Sequence, residues 1–349
     1  MLCALIMAGG KGERFWPLST EDKPKQFLKL LGDYTMIQMT VKRLQKLLSL
    51  ERIFIVTAKQ YVNLIKEQIP NLPVRNIIVE PVGKNTAPCI ALSAFIIDKY
   101  YKDATLAVVP ADHLISDEDN FVKVIQTADV FVNNMKDSII TLGIIPNRPE
   151  CGYGYINYSN CLTEVDGFEI RKVNKFVEKP NIETAKGYLL AGDFLWNGGM
   201  FVWKTSTILN LTNKYLSNTY QILSEISATC DDDYDKVLNK RYKDIDSISV
   251  DYAIMENAKD IYVIPCDFGW DDIGTWHSLE RYREHDENNN ICVGYVNSFE
   301  SNNNIVVGNN KPIVVVGMDD IFVVESEDMI FIGKKEYIER IKEIKRKVE

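Results

Sequence analysis

Histidine is scarce in this chain, with three among 349 residues, at positions 113, 277 and 285. Neither that number nor that spacing suits a zinc site. The seven cysteines form no C-x-x-C pair, so a disulfide framework is not indicated either. No run reaches the ~18 apolar residues that a membrane span requires. A basic excess is also missing: 40 Lys and Arg stand against 49 Asp and Glu, a net charge of −9, which argues against a nucleic-acid surface. The two best-known glycine loops are absent as well. No G-x-x-x-x-G-K-[ST] string occurs, and a dinucleotide fingerprint would need a third glycine at position 15, where Phe15 stands with Pro17 close behind. The apolar start MLCALIMA has no basic flank and no cleavage site, so it reads as a core strand and not a signal peptide. A reducing, cytoplasmic setting is the expectation.

What the chain has, directly after that first strand, is the turn Gly9-Gly10-Lys11-Gly12, then Arg14, then a lysine–proline segment carrying Lys23 and Lys25. Glycines let backbone N–H groups approach an anion with no Cβ in the way. Glycines alone would pass for an ordinary strand end. Arginine and lysine close behind add the charge that a polyphosphate requires, and the segment reads as a phosphate site. The basic residues that matter are local within an acidic whole, which suits a small anionic ligand.

At 46% apolar composition the chain can bury a large core. Through about residue 145 short apolar runs (52–58, 76–81, 105–111, 138–146) alternate with stretches of helical spacing (35–49, 61–69, 86–101). Such alternation predicts a doubly wound, mostly parallel, Rossmann-like α/β sheet. Asn85 or Thr86 is the expected N-cap of the third helix, with Pro88 tolerated in its first turn. Ligands of such sheets bind where strands end at their carboxyl edge. The glycine turn, EPVGKN (80–85) and PADH (110–113) each follow an apparent strand. From 150 to 275 the pattern is mixed. After Asp286 short β-rich runs alternate with Asn, Gly and Asp clusters at spacings of about ten residues, as in a hairpin array or a few turns of β-helix, and a basic amphipathic helix closes the chain at 334–348. The expected domains are a catalytic one over 1–285 and a β-rich, β-helix-like region over 286–349.

The pattern G-G-x-G-x-R-x-x-P-L with K-P-K-Q downstream resembles the sugar-nucleotide pyrophosphorylases. Further motifs follow in order: EPVGKNTAP (80–88), PADH, GYGYI (152–156), FVEKP (176–180), WNGGMF (196–201), ISVDYAIME (248–256) and GWDDIGTW (269–276). Together they resemble the mannose-1-phosphate guanylyltransferases, over roughly residues 1 to 285. Lys84 stands where that pattern has an arginine, Gly198 where it has a serine and Cys151 where it has a threonine. The first change keeps charge but loses a planar fork; the other two remove hydroxyls near the expected sugar pocket. Longer members append a mannose-phosphate isomerase domain, and the resemblance implies a short form without one.

The resemblance implies transfer of GMP from GTP to α-D-mannose 1-phosphate, giving GDP-mannose and pyrophosphate. A phosphomonoester with a second pKa near ~6 is already a nucleophile at neutral pH, so the site has to hold two polyanions in line and screen their repulsion. That calls for cations and Mg²⁺, not a triad. Arg14 and Lys25 are the expected catalytic cations. Arg14 would grip the departing phosphates with backbone N–H groups of Gly9, Gly10 and Gly12, and Lys25 would lie between the two substrates' phosphates. Asp112 of PADH and, by the resemblance, Asp272 in preference to Asp271 are the expected metal ligands. Glu80, Gly83, Asn85 and Thr86 would hold guanine. Gly154, Glu178, Lys179 and Asn197 would hold the sugar phosphate. Trp196, Trp270 and Trp276 read as packing residues. The alternatives are a uridylyl-, thymidylyl- or adenylyltransferase acting on glucose 1-phosphate, and a sugar-nucleotide-binding regulator without turnover. The region beyond about residue 290 is expected to be silent in the chemistry and to serve assembly as a homodimer, through apolar strands that otherwise leave open edges.

Overall fold

A computed structural model describes residues 1–10 and 12–348. Lys11 of the glycine turn and Glu349 lie outside the described residues. The chain forms two compact units, one of residues 1–9, 40–111 and 115–270, the other of residues 10–39, 112–114 and 271–349. The division expected at 285/286 is a division of the sequence, and the compact units cut across it. The reason is packing: Phe15, Trp16, Leu28 and Met36 share one apolar core with Ile305, Phe322 and Ile341 from the far end of the chain.

In chain order the strands up to residue 271 are β1 (Leu2–Met7), β2 (Ile53–Ala58), β3 (Ile77–Glu80), β4 (Thr105–Pro110), the short β5 (Leu114–Ile115), β6 (Ile139–Ile144), β7 (Tyr155–Val165), β8 (Phe168–Val177), β9 (Phe194–Lys204), β10 (Ile261–Cys266) and the short β11 (Trp270–Asp271). Apart from β5 and β11 they build one nine-stranded sheet in the first unit, in the order β3-β2-β1-β4-β9-β6-β10-β8-β7. β1 pairs in parallel with β2 and β4, β2 with β3, and β10 with β6. β9 runs antiparallel to β4, β6 and β7, and β8 antiparallel to β10 and β7. The sheet is therefore mixed and mostly parallel, with β8 and β9 alone running against the others.

β1 is buried on both faces, as a central parallel strand must be. Cys3 and Leu5 join the core beneath the helix Thr86–Tyr100, and the alternate residues Ala4 and Ile6, equally inaccessible, face the other way. Helices Thr86–Tyr100, Thr205–Tyr215 and Ser217–Ala228 pack against one another, while Glu118–Asn134 packs on β4, β6 and β9.

The second unit carries β12 (Ile291–Val293), β13 (Val296–Phe299), β14 (Ile305–Val307), β15 (Ile313–Val316), β16 (Ile321–Glu325) and β17 (Ile330–Lys334). β12, β14 and β16 stack in parallel, β13 and β15 form a second parallel pair, and β17 closes the first stack antiparallel. Parallel stacking of successive short strands is β-helix geometry, and it settles the choice left open with a hairpin array. The asparagine clusters turn the corners. Asn289 (φ 61), Asn303 (φ 56) and Asp320 (φ 55) adopt left-handed backbone at equivalent places, a conformation Asn and Asp tolerate best after glycine. The neighbouring Asn290 and Asn304 form a ladder: Asn290 Oδ1 accepts from the N–H of Asn304 at 3.0 Å, and Asn304 Oδ1 accepts from the N–H of Ile321 at 2.9 Å.

Candidate active site

In the first unit Met7 of β1 is level with Val56 of β2 and with Pro110 of β4, and Val56 is level with Ile78 of β3. The carboxyl ends of these parallel strands thus stand along one edge, where such sheets bind ligands. Gly9, the EPVGKN loop and PADH all leave from it.

Within the second unit a cavity of about 290 Å³ gathers Gly12, Arg14, Lys25, Asp112 and Asp272, with Glu13, His113 and Lys342 beside them. Gly12 is required by geometry. Its φ is +53°, and a Cβ there would lie 2.5 Å from the backbone N of Lys25, so only glycine lets the turn rest against the segment that carries the lysine. Gln26 strengthens that contact, its Nε2 donating to the carbonyl of Gly10 at 2.9 Å. Lys25 is buried and not a solvated surface lysine. Its Nζ lies 3.0 Å from Asp112 Oδ2 and also donates to the backbone carbonyl of Asp272. Burial pushes the Asp112 carboxyl up, but the Lys25 ammonium and His113 outweigh it and hold the group below the usual carboxylate range.

The adjacent acids of GWDDIGTW have different environments. Asp271 is fully buried. Its Oδ1 accepts from the N–H of Ile273 at 2.8 Å, and its Oδ2 accepts from Arg281 and from the Tyr282 hydroxyl. Asp272 lines the cavity. Gly274 leaves room beside it: a Cβ at that position would lie 2.9 Å from Asp272 Oδ2 and 3.2 Å from Arg14 Nη1. Among the described residues no group of three or more His, Cys, Asp and Glu could cage a metal. Two carboxylates in one cavity instead fit a hard cation that also takes phosphate oxygens and water.

The remaining candidates belong to the first unit and form two groups. In the first, Glu80 is buried, and its Oε1 accepts from the Tyr242 hydroxyl at 2.7 Å and from the N–H of Lys84 at 3.1 Å. Burial raises its carboxyl, a shift these two hydrogen bonds only partly offset. Oε2 points towards Gly9, 3.9 Å from where a Cβ would stand. Asn85, not Thr86, caps the helix, with Oδ1 accepting from the N–H of Thr86 at 2.8 Å. Thr86 Oγ1 instead accepts from the N–H of Val250 at 2.8 Å, and Lys84 Nζ donates to the carbonyl of Lys243 at 2.8 Å. The segment 242–250 therefore braces the loop. Gly83 is exposed with open space around it, so no packing constraint explains a glycine there.

The second group brings together Gly154, Glu178, Lys179 and Asn197. A Cβ on Gly154 would stand 2.7 Å from Glu178 Oε2. Lys179 pairs with Glu178, and the carbonyl of Gly154 accepts from the N–H of Asn197 at 2.8 Å. Asn197 Nδ2 also donates to Asp251 Oδ1 at 2.8 Å. Burial, with the nearby Glu178 adding to it, raises the Asp251 carboxyl despite the Asn197 bond. Trp196 and Trp276 are buried packing residues. Trp196 packs edge-on against Tyr153, and Trp276 packs against Phe15 and Phe322.

Sequence reading missed Tyr242, Asp251 and Lys342. Asp251 sits inside ISVDYAIME, and its membership of that motif was the available signal. Tyr242 and Lys342 lie in no motif. Lys342, from the region beyond residue 290, lines the same cavity as Arg14. Among the described residues no helix is long and apolar enough to cross a membrane.

Residues 3–289 match the Nucleotidyl transferase family, and residues 294–348 match the MannoseP isomerase/GMP-like beta-helix domain. The chain is 36% identical to mannose-1-phosphate guanylyltransferase 2 of Escherichia coli O157:H7, over 98% of its own length and 72% of that protein's. It is 37% identical to a mannose-1-phosphate guanylyltransferase of Salmonella montevideo, over 100% of its own length and 74% of the relative's. A solved structure from Thermus thermophilus, described as a mannose-1-phosphate geranyltransferase, superposes with a TM-score of 0.87 at 28% identity, covering 99% of both chains.

Proposed function

The chain belongs to the mannose-1-phosphate guanylyltransferases of the nucleotidyl transferase family, and from that premise we propose how its residues transfer GMP from GTP to α-D-mannose 1-phosphate, releasing GDP-mannose and pyrophosphate. The observation that carries the assignment of roles is the convergence of Arg14, Lys25, Asp112 and Asp272 on one cavity. A phosphate oxygen of mannose 1-phosphate attacks the α-phosphorus of GTP, and the bond to the β-phosphate oxygen breaks. Arg14 and the glycine turn (Gly9, Gly10, Gly12) hold the β- and γ-phosphates, whose charge grows as pyrophosphate departs. Lys25, fixed by Asp112 and the Asp272 carbonyl, neutralises phosphate charge without having to be ordered first. Asp112 and Asp272 are the residues that would hold Mg²⁺, which supplies further charge neutralisation when bound.

Glu80 accepts from the N1–H and N2–H₂ donors of guanine, with Gly83, Asn85 and Thr86 shaping the loop around the base. Glu178 and Asn197 take sugar hydroxyls, Gly154 gives the ring close access, and Lys179 pairs with the sugar phosphate. Residues 1–285 form the catalytic domain in sequence, and 286–349 the β-helix region. We read the protein as cytoplasmic and as a homodimer. The outer faces of β13 and β15 expose Phe299, Val314 and Val316, and light scattering should return twice the chain mass. A monomer would reject the dimer.

The experiment that tests the function is a panel of GTP, ATP, UTP and dTTP against mannose and glucose 1-phosphates, read by pyrophosphate release. GTP with mannose 1-phosphate should give the highest kcat/KM. A different best pair would favour a transferase of another specificity, and binding without release a regulator.

A further inference from the structure

We infer that Lys342, on the last helix of the chain, contacts the pyrophosphate half of the nucleotide, and that an ion pair between Lys345 and Glu13 docks the helix that presents it. The inference rests on the function proposed above. Lys342 lies outside every motif that carries the family likeness, yet it lines the cavity with Gly12, Glu13 and Arg14. The helix, Ile341–Val348, is not loosely attached. Ile338 and Ile341 are buried in the same core as Phe15, the residue after Arg14. Lys345 is buried, and its Nζ lies 3.5 Å from Glu13 Oε1. Glu13 in turn precedes Arg14. One helical turn before Lys345, residue 342 falls on the same side of the helix.

The charges indicate which ligand belongs there. Of the cavity's cations, Lys25 is held by Asp112 and the Asp272 carbonyl. Among the described residues neither Arg14 nor Lys342 makes an ion pair or hydrogen bond, although the Asp272 carboxylate borders the same space at Gly274 as Arg14 Nη1. Two unpartnered cations in one cavity repel each other, and an anion with several oxygens converts that repulsion into two charge-assisted contacts. The lining that Lys342 shares with Arg14 and the glycine turn is the part of the site assigned to the β- and γ-phosphates. Lys342 is therefore a contact for the leaving group. The C-terminal helix completes the phosphate site from the opposite end of the sequence.

The reverse reaction isolates this contact. A pyrophosphate oxygen attacks the guanosine-bearing phosphorus of GDP-mannose, the bond to the mannose 1-phosphate oxygen breaks, and GTP forms. Pyrophosphate and GDP-mannose can then be varied separately. Lys342→Ala should raise KM for pyrophosphate about tenfold, the scale of one lost hydrogen bond to a charged group, and leave KM for GDP-mannose unchanged. Lys342→Arg should restore most of the affinity. Calorimetric titration of pyrophosphate alone into the full-length protein should show the same loss in Lys342→Ala. A pyrophosphate KM and Kd within twofold of the parent, or an equal rise in KM for GDP-mannose, would overturn the inference. A parent protein that binds pyrophosphate but does not cleave GDP-mannose would instead defeat the functional reading, and the calorimetric comparison would still decide the role of Lys342.

Discussion

Tyr242→Phe removes one oxygen from a fully buried ring and should reveal what Glu80 does. The hydroxyl donates to Glu80 Oε1 at 2.7 Å, and the other contact to that oxygen is the Lys84 N–H at 3.1 Å. Burial already raises the carboxyl. Losing a hydrogen bond to the charged form costs ~1.5–3 kcal/mol, or roughly ten- to a hundredfold in an equilibrium constant. If ionised Glu80 accepts from guanine, KM for GTP should rise by about that factor while KM for mannose 1-phosphate holds. The acid limb of kcat/KM for GTP should also move to higher pH, because the variant loses an interaction that favours the carboxylate. Stability follows with a definite sign. A carboxyl whose folded pKa is raised contributes stability that is present below its unfolded pKa and is lost as pH rises through the folded one. The variant deepens that loss, so its Tm deficit should be larger at neutral pH than near pH ~4, where an unfolded glutamate titrates. Steady-state kinetics over pH, with thermal melts at the same pH values, read both. A lowered Tm with KM for GTP within twofold of the parent would make the pair purely structural and remove Glu80 from guanine recognition.

Two other substitutions probe the remaining parts of the site. Asp112→Asn keeps side-chain volume and should lower kcat about a hundredfold or more, since charge stabilisation by a metal is worth several kcal/mol. Its far-UV circular dichroism should match the parent, and activity within tenfold of the parent at saturating Mg²⁺ would remove Asp112 from the site. Gly154→Ala places a Cβ 2.7 Å from Glu178 Oε2, the far end of a flexible side chain. Tm should therefore barely change while KM for mannose 1-phosphate rises about tenfold, as for one displaced hydrogen bond to a charged group; an unchanged KM would show that Glu178 does not touch the sugar.

The parts of the fold that were legible depend on local chemistry. β1, β2 and β4 announce themselves because a parallel strand buried on both faces must be continuously apolar, and the turns after β1, β3 and β4 are marked in the sequence by Gly, Asn or Asp. The insertion of β9 between β4 and β6 was not legible, because strand order is set by long-range pairing that leaves no periodic trace. The asparagine clusters after 286 were legible as turns but not as a ladder. Asn290 and Asn304 stack only because their coils superpose, a relation invisible to a window of ten residues. Of the residues that line the cavity, Gly12, Arg14 and Lys25 were picked out by the glycine turn and the basic residues behind it, and Asp112 by its place just past β4. Lys342 was not, because one lysine on a basic helix looks like its solvated neighbours until the burial of Ile341 and Lys345 fixes which side faces inward.

Backbone conformation ties these motifs together more closely than composition does. Left-handed φ is expected at Asn and Asp and is uncommon elsewhere outside glycine. Among the described residues only Lys179 (φ 41), Ile273 (φ 43) and Glu300 (φ 49) break that rule, and two of them lie in FVEKP and GWDDIGTW. Ile273 is the most demanding, because a β-branched side chain pays most for this conformation. It is held there by its own burial and by the N–H bond to Asp271 Oδ1, while Asp271 is anchored by Arg281 and Tyr282. The two acids thus divide the work. Asp271 enforces the strained turn, and the turn directs the Asp272 carbonyl to Lys25 and leaves Asp272 in the cavity lining. Strain of this kind, of order 1–3 kcal/mol, persists only where surrounding structure over-determines it. At Ile273 it fixes the Asp272 carbonyl that holds Lys25, and in the proposed mechanism that is preorganisation of a cation before any phosphate arrives.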